Sequence, residues 1–232
     1  MQPMESIVER EIARWQLNRA AAERLLRAVV PAPLITISRQ LGSGGAELAR
    51  TLGTRLHWPV YDRELVDEMV LRSHASRQLV LDLDEDIPSG PVRWLDVLIT
   101  QELFDYDDYR AILLQVLNSL AERGSAIILG RGANFAARPH PRLDVRIVAP
   151  MQVRIERLAR RDGLTPTQAS LVIHRSDQQR REFTRRVYHA NWDDASQYDL
   201  IINTGHLSIL EAAELVEDAL KDLNHIVRSP SA

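Results

Sequence analysis

The chain has 232 residues, which fits one large α/β domain or a domain with an added segment, and 45% of its residues are apolar, enough for a well-buried core. Its formal net charge of −3 argues against general binding to nucleic-acid polymers, which depends on positive charge spread along the phosphate backbone. The absence of cysteine excludes disulfides, thiolate metal sites and a thiol nucleophile.

The N-terminal segment, residues 1–31, is predicted to be a helical extension. The main domain follows at 32–228, and a short tail at 229–232 ends the sequence. Within the N-terminal segment, residues 5–29 carry apolar positions among many charges, which predicts one or two amphipathic helices. These helices could pack on the domain, join two subunits as a homodimer, or bind a partner; packing is the simplest interpretation. The apolar runs of the chain are too short to cross a bilayer, so we expect a cytoplasmic protein that does not span a membrane.

From Leu34 onward, short apolar runs alternate with longer stretches of helical periodicity. Strands are predicted at Leu34–Ile37, Pro59–Tyr61, Ala126–Leu129, Val145–Ala149 and Leu200–Ile202. Helices are predicted after the first strand at 46–56 and at about 63–73, 92–122, 151–161, 166–190 and 208–227. This alternation predicts a parallel sheet covered by helices. The acidic stretch at 82–91 reads as a solvated loop, which we favour over a divalent-ion site.

The loop after the first strand contains Gly42, Gly44 and Gly45 and leads directly into a predicted helix. Glycine lets successive backbone N–H groups curl toward an anion, and the positive end of the helix dipole favours a phosphate there. The lysine that such loops normally carry is missing. From spacing alone, a plain tight turn and a phosphate site are equally good interpretations.

Ligands of an open parallel sheet bind beyond the carboxyl ends of its strands, so the residues that follow each strand are candidates for a site. Asp62 and Arg63 follow the second strand, Gly130-Arg131-Gly132 follows the third, and Asn203-Thr204-Gly205 follows the fifth. A guanidinium such as that of Arg131 can hold a phosphate or carboxylate through two parallel hydrogen bonds. The alternative is an ordinary surface arginine in a turn.

Arginines cluster on the two predicted helices after the fourth strand. Arg154, Arg157 and Arg161 share one helical face, and on the next helix Asp177, Arg181 and Arg185 recur at intervals of four. One interpretation is a solvated surface with ion pairs, each worth about 0.2–0.5 kcal/mol. The other is an arginine-lined lid that closes over nucleotide phosphates. The two differ in geometry, because lid arginines should converge above Gly44.

Taken together, these motifs resemble the cytidylate kinase-like family of P-loop proteins. The resemblance extends from about Leu34 to Leu220 and leaves the N-terminal segment outside. It rests on Ile37-Ser38-Arg39-Gln40-Leu41-Gly42-Ser43-Gly44-Gly45, Tyr61-Asp62-Arg63-Glu64-Leu65, Gly130-Arg131-Gly132-Ala133-Asn134, Val148-Ala149-Pro150, Asp177-x-x-Arg180-Arg181 and Tyr198-Asp199-Leu200-Ile201-Ile202-Asn203-Thr204.

The resemblance implies a three-layer α/β/α P-loop NTPase fold with a parallel five-stranded sheet. It further implies a helical acceptor-site insertion at about 75–122 and a small lid region at about 151–190. The implied activity is phosphoryl transfer from ATP, with Mg²⁺, to a nucleoside monophosphate, of which CMP or dCMP is favoured. Nucleotides are the implied partners.

The resemblance also assigns roles to individual residues. The ATP phosphate loop would comprise Gly42, Ser43, Gly44, Gly45 and Ala46. The acceptor side would involve Asp62, Arg63, Gly130, Arg131, Asp177 and Arg180. The catalytic, phosphate-facing arginines would be Arg39, Arg154, Arg157 and Arg181, with Arg180 an equally good candidate. No metal ligand is assigned.

Several positions depart from the family pattern. Arg39 stands at the first glycine of the P-loop consensus, Gly45 at the lysine and Ala46 at the hydroxyl residue. Gly132 replaces the aspartate of a Gly-Arg-Asp motif. We hypothesise that Arg39 supplies the charge that Gly45 lacks. Two alternatives to a nucleotide kinase stay open, namely a non-catalytic nucleotide-binding or regulatory module and a kinase with a non-nucleotide acceptor.

The second alternative rests on the predicted acceptor segment, which offers few bases for a nucleotide phosphate. Its candidates are Arg77, Arg93 and Arg110, and we interpret them as surface residues.

Overall fold

The computed structural model describes residues 32–63, 65–67, 106–136 and 141–228. The predictions for the N-terminal segment, including a homodimer, for the acidic loop at 82–91, for Arg77 and Arg93 and for the tail lie outside these residues. The domain limits at 31 and at the ends of the insertion stay predictions. No helix within the described ranges is both long and apolar enough to span a membrane.

Five strands form one parallel sheet in the order β2-β3-β1-β4-β5. They are β1 (Leu34–Arg39), β2 (Val60–Tyr61), β3 (Ile127–Leu129), β4 (Arg142–Val148) and β5 (Leu200–Asn203). The predicted strands are confirmed, although β4 begins three residues before the predicted Val145. Its first residues include the charged Arg142 and Asp144, which a search for apolar runs overlooks.

The described helices separate these strands as expected. They are α1 (Gly45–Leu56), α2 (Tyr106–Arg123), α3 (Ala133–Ala136), α4 (Met151–Asp162), α5 (Pro166–Tyr188) and α6 (Ile209–Arg228). The start of α5 is fixed by a capping box, in which the Thr165 side chain accepts from the Gln168 N–H while Gln168 accepts from Thr165. The short helix α3 was not predicted, since its four residues are too few to show a period.

One face of the sheet carries the main apolar core. Ile35 and Ile37 of β1 point to this face with Val145 and Ile147 of β4, and all four are buried. Apolar residues from two helices cover them, with Leu48, Ala49 and Leu52 from α1 and Ala212, Ala213, Val216 and Leu220 from α6. Because successive strand residues alternate between faces, this pattern leaves the intervening residues of β1 and β4 on the opposite face.

That opposite face is polar at its centre. Thr36 of β1 donates a 2.6 Å hydrogen bond to Asp144 of β4, and Arg142 pairs with the same carboxylate at 2.7 Å. Burial raises the pKa of Asp144, against the lowering effects of Arg142 and Thr36. Farther along β1, Ser38 accepts a 2.8 Å hydrogen bond from the Trp192 indole. Together with α3, the segment after α5 covers this side, and the three-layer α/β/α P-loop fold is confirmed.

The described chain divides into two compact units. The smaller contains residues 62–67 and 106–120, in which the Tyr109 hydroxyl donates to the buried Asp67 at 3.3 Å. The larger contains the whole sheet, from Ala32 to Tyr61 and from Ala121 onward. The glycine-rich loop and the arginine-bearing helices α4 and α5 belong to the larger unit.

Candidate phosphate-binding site

The glycine-rich loop joins the end of β1 to the start of α1. Gly42 and Gly44 have φ of 80° and 82°, in the left-handed region that favours glycine. A Cβ on Gly42 would lie 2.8 Å from the Arg154 carbonyl oxygen, and one on Gly44 would lie 2.6 Å from Ile209 Cδ1. The first N–H groups of α1 have no acceptor within the helix and face this loop end. The loop therefore has the backbone shape and the dipole that suit a phosphate.

The loop backbone is held by a buried ion pair between α4 and α5. Asp177 of α5 accepts from the Leu41 N–H at 3.1 Å, and Arg154 of α4 donates to the Leu41 carbonyl at 2.8 Å. The two side chains also pair with each other, and both are almost fully buried. The Leu41 side chain packs against the apolar contact between the two helices. Arg154 and Asp177 thus fix the backbone of the loop at Leu41.

A second arginine of α4 lies beside the loop glycines. Arg157 donates from both terminal nitrogens to Thr204, at 3.0 Å to the hydroxyl and 2.7 Å to the carbonyl. The Thr204 hydroxyl in turn donates to the Ser43 carbonyl at 2.6 Å. Arg157 Nη1 lies only 3.8 Å from where a Cβ on Gly44 would be. Thr204, which is among the residues expected at a site because they follow a strand, joins β5 to the loop; its bonds to Arg157 and Ser43 were not predicted.

Arg39 occupies the space above the residue that replaces the consensus lysine. A Cβ on Gly45 would lie 2.5 Å from Arg39 Cβ and 3.0 Å from its Cγ, which real Cβ atoms do not tolerate. The Arg39 guanidinium extends to the end of β3, where its Cζ would lie 3.1 Å from a Cβ on Gly130. Arg180 of α5 donates to the Arg39 carbonyl at 2.7 Å. The side chain of Arg39 therefore runs from the loop to the neighbouring turn.

That neighbouring turn contains three consecutive residues with left-handed backbone, Gly130, Arg131 and Gly132, with φ of 87°, 52° and 61°. The Arg131 guanidinium lies 5.0 Å from the centre of the Phe183 ring, and the Arg131 carbonyl accepts from the Tyr188 hydroxyl at 2.5 Å. A Cβ on Gly132 would overlap the Tyr188 ring, 2.8 Å from its Cδ2. The ring thus fills the space where the aspartate of a Gly-Arg-Asp motif would begin.

Arg181 contacts the segment after α5. Its Nε donates to Asp193 at 2.6 Å, and its guanidinium lies 5.5 Å from the Trp192 ring centre. Asp193 also accepts from Arg146 at 2.6 Å. Burial acts to raise the pKa of Asp193, but the hydrogen bonds from Arg181 and Arg146 outweigh it and hold that pKa below its ordinary value.

The remaining acceptor-side candidates, Asp62 and Arg63, have contacts within the smaller unit. Asp62 accepts from the Leu65 N–H at 2.9 Å, and Arg63 lies 3.7 Å from Asp67; these residues belong to the smaller unit, as does the half-buried Arg110. Within the described ranges, no group of three carboxylate or imidazole side chains is placed to hold a metal ion. Ala46 is exposed in the first turn of α1 and offers no hydroxyl.

Some of the predicted arginines lie where a phosphate site requires them, and others form the solvated ion pairs of the alternative interpretation. Arg39, Arg154 and Arg157 contact the loop or the residues at its ends, as a phosphate site requires. Arg131 and Arg181 lie against Phe183 and Trp192. Exposed ion pairs account for two others: Arg161 binds Asp162 at 2.6 Å, and Arg185 binds Glu182 at 2.8 Å. Arg186, which was not among the predicted residues, also binds Glu182, and the two arginines lower the pKa of Glu182 to about 2.

Known proteins resemble this chain in sequence and in fold. The cytidylate kinase of Pyrobaculum calidifontis is 23% identical over 189 residues, which covers 80% of this chain and 91% of the relative. The cytidylate kinase of Pyrococcus horikoshii is 32% identical over 106 residues, covering 46% of this chain and 55% of the relative, so the chain spans about half of that protein's length. The crystal structure of an uncharacterized protein from Eubacterium ventriosum has the same fold, with a TM-score of 0.62 and 20% identity over 82% of this chain and 98% of that one.

The sequence model of the cytidylate kinase-like family matches residues 34–206, from the start of β1 to just beyond β5. This range includes the glycine-rich loop, the turn at Arg131 and both arginine-bearing helices. The chain therefore belongs to the cytidylate kinase-like family.

Proposed function

We propose that the chain is a cytoplasmic phosphotransferase that transfers the γ-phosphoryl group of ATP to a nucleoside monophosphate, with CMP or dCMP as the acceptor. The observation that carries the proposal is the glycine-rich loop at the start of α1, where Arg157 lies beside Gly44 and Arg39 crosses above Gly45. Family membership supports it, as does the fact that relatives matched over most of this chain are named cytidylate kinases.

On the donor side, the backbone from Gly42 to Ala46 would hold the ATP phosphates through N–H groups and the α1 dipole. Phosphoryl transfer depends on positioning and on stabilising the charge of the transferring group, and guanidinium groups can supply both. Arg157 is the nearest guanidinium to Gly44, and Arg39 would contribute the charge of the missing lysine. Arg154 would act indirectly, by fixing the backbone of Leu41, and Arg181 would act after leaving Asp193.

On the acceptor side, Arg131 would bind the phosphate of the nucleoside monophosphate, next to Gly130 and the Arg39 guanidinium. By family resemblance, Asp62 and Arg63 would also contact the acceptor. Two residues of α5 would contribute through the loop: Asp177 accepts from Leu41 N–H, and Arg180 donates to the Arg39 carbonyl. A substitution in either should therefore change binding of both nucleotides.

Mg²⁺ fits this site only if a bound nucleotide supplies phosphate oxygens as ligands. Ala46 has no hydroxyl, and the Ser43 hydroxyl is buried and donates to the Gln40 carbonyl at 2.8 Å. Since Mg²⁺ in kinases is commonly held by substrate phosphates, water and few protein groups, we assign no described side chain as its ligand. The ion would supply charge neutralisation between the phosphates when it is bound.

A second candidate function is a non-catalytic nucleotide-binding module. The observation that favours it is the loss of both the lysine and the hydroxyl of the P-loop consensus at Gly45 and Ala46. Such a protein would bind ATP through the loop backbone without transferring the phosphoryl group. The N-terminal segment would then be the part that acts on a partner.

A coupled assay for ADP release, run with each common nucleoside monophosphate, distinguishes these functions. We expect ADP release that depends on CMP or dCMP and that falls sharply in Arg131→Ala. ATP binding without turnover for any acceptor would overturn the kinase proposal and favour the module. ADP release that no nucleoside monophosphate stimulates would indicate a non-nucleotide acceptor.

A further inference from the structure

The turn at Arg131 has a backbone that its own sequence does not favour. A left-handed conformation suits Gly130 and Gly132, but Arg131 has a Cβ that crowds the following carbonyl oxygen when φ is positive. Such a residue persists only where its surroundings hold it in place. The turn lies beside the phosphate loop, because Gly130 N–H donates to the carbonyl of Ile37 in β1 at 3.0 Å.

The residue that holds this turn is Tyr188, the last residue of α5. Its hydroxyl donates to the Arg131 carbonyl at 2.5 Å, which fixes the orientation of that peptide group. Its ring occupies the space beside Gly132, so a side chain at position 132 is excluded. The ring also packs edge-on against Phe183, at 6.2 Å between centres, and Phe183 in turn lies under the Arg131 guanidinium.

Phe135 of α3 completes this aromatic cluster, with its ring centre 5.7 Å from that of Tyr188. The backbone and the guanidinium of Arg131 are therefore positioned by one group of rings, most of which belong to α5. Arg131 itself is half-buried.

We propose that Tyr188 is a positioning residue for the acceptor. Its hydroxyl holds Arg131 in the left-handed conformation, and its ring replaces the carboxylate that a Gly-Arg-Asp motif would place at position 132. The turn then offers the acceptor a guanidinium and no carboxylate, which suits the phosphate group of a phosphate monoester. The inference rests on the proposed function in one respect, that Arg131 contacts the acceptor.

Tyr188→Phe tests the inference, because it keeps the ring and removes only the hydroxyl. We expect KM for CMP to rise about fivefold or more, with kcat and KM for ATP within about twofold of the wild type. The reason is that the lost hydrogen bond orients Arg131, which contacts CMP and not ATP. In an Arg131→Ala background the same change should have no further effect on KM for CMP. Tyr198→Phe is the matched control, since it removes a buried hydroxyl that donates to the Trp192 carbonyl at 2.8 Å and not to a residue of the turn.

Two measurements that need no turnover separate this inference from the proposed function. Calorimetric titration with CMP should show the same loss of affinity in Tyr188→Phe, and amide hydrogen exchange at Gly132 and Ala133 should be faster than in Tyr198→Phe. If the wild type neither binds nor phosphorylates CMP, the proposed function fails, and the exchange rates alone decide whether Tyr188 holds the turn. Three results would each overturn the inference. They are an unchanged CMP affinity of Tyr188→Phe when the wild type is active, an equal rise in KM for CMP when Tyr188→Phe is added to Arg131→Ala, and unchanged amide exchange at Gly132 and Ala133.

Discussion

Gly45→Lys restores the consensus lysine of the phosphate loop, and we expect it to damage the protein. The new Cβ would lie 2.5 Å from Arg39 Cβ, so the Arg39 side chain must move out of the space that it fills. Overpacking of this kind costs about 1–3 kcal/mol, part of which the better helix propensity of lysine offsets by about 0.7 kcal/mol. The midpoint of thermal unfolding should therefore fall by a few degrees, at about 2–4 °C per kcal/mol for a chain of this size.

The reciprocal variant, Arg39→Gly with Gly45→Lys, should recover both stability and activity relative to Gly45→Lys alone. It removes the overlap and returns a positive charge to the consensus position. Arg39→Ala by itself removes a charge near the phosphates, and kcat/KM for ATP should fall about ten- to a hundredfold, the equivalent of a lost charged hydrogen bond. Ala46→Lys adds the same side chain at the adjacent exposed position and serves as the control for stability.

Differential scanning fluorimetry and the coupled ADP-release assay measure both effects. A Gly45→Lys variant as stable as Ala46→Lys would show that Arg39 does not fill the lysine space. An Arg39→Ala variant with unchanged ATP affinity and turnover would refute the idea that Arg39 replaces the lysine charge. Additive effects in the reciprocal variant would show that the two positions are independent.

Three further outcomes follow from the contacts around the loop. Asp177→Ala should lower the free energy of unfolding in urea by about 3–5 kcal/mol, because it leaves the Arg154 guanidinium buried without its partner; Asp177→Asn should cost less. Gly132→Ala should lower the unfolding midpoint by several degrees, since the new methyl group overlaps Tyr188 in a backbone that alanine disfavours, and Tyr188→Ala should relieve much of that loss. The lowered pKa of Asp193 contributes stability that is present above the unfolded pKa of about 4 and is lost as the pH falls below it. Asp193→Asn should therefore weaken the pH dependence of the unfolding free energy below about pH 5, and an unaltered dependence would contradict the role of its ion pairs.

Local patterns in the sequence were sufficient to predict the sheet and the glycine-rich loop between β1 and α1. The apolar run from Leu34 to Ile37, followed by glycines and a helical stripe, needs no partner to be recognised. The start of β4 at Arg142 could not be predicted in this way. Its polar residues are accommodated because Asp144 lies opposite Thr36, and that pairing depends on the register between two strands far apart in sequence.

The roles of the arginines were harder to predict for a related reason. Periodicity places Arg154, Arg157 and Arg161 on one helical face, and this pattern is typical both of a solvated surface and of a lid over phosphates. In the structure Arg154 is buried because Asp177 and the Leu41 backbone receive its hydrogen bonds, whereas Arg161 is exposed beside Asp162. Which arginine is buried depends on contacts from other elements, and one helix considered alone does not contain that information.

The two largest departures from the kinase pattern share a physical explanation. Gly45 stands at the lysine and Gly132 at the aspartate, yet neither position is empty, because Arg39 fills the first and the Tyr188 ring fills the second. Each exchange places a larger side chain from a different element where the consensus side chain would begin. A side chain at either position would require its neighbour to move. Restoring either consensus residue alone should therefore be harmful, and removal of the neighbouring side chain in the same variant should relieve part of that cost.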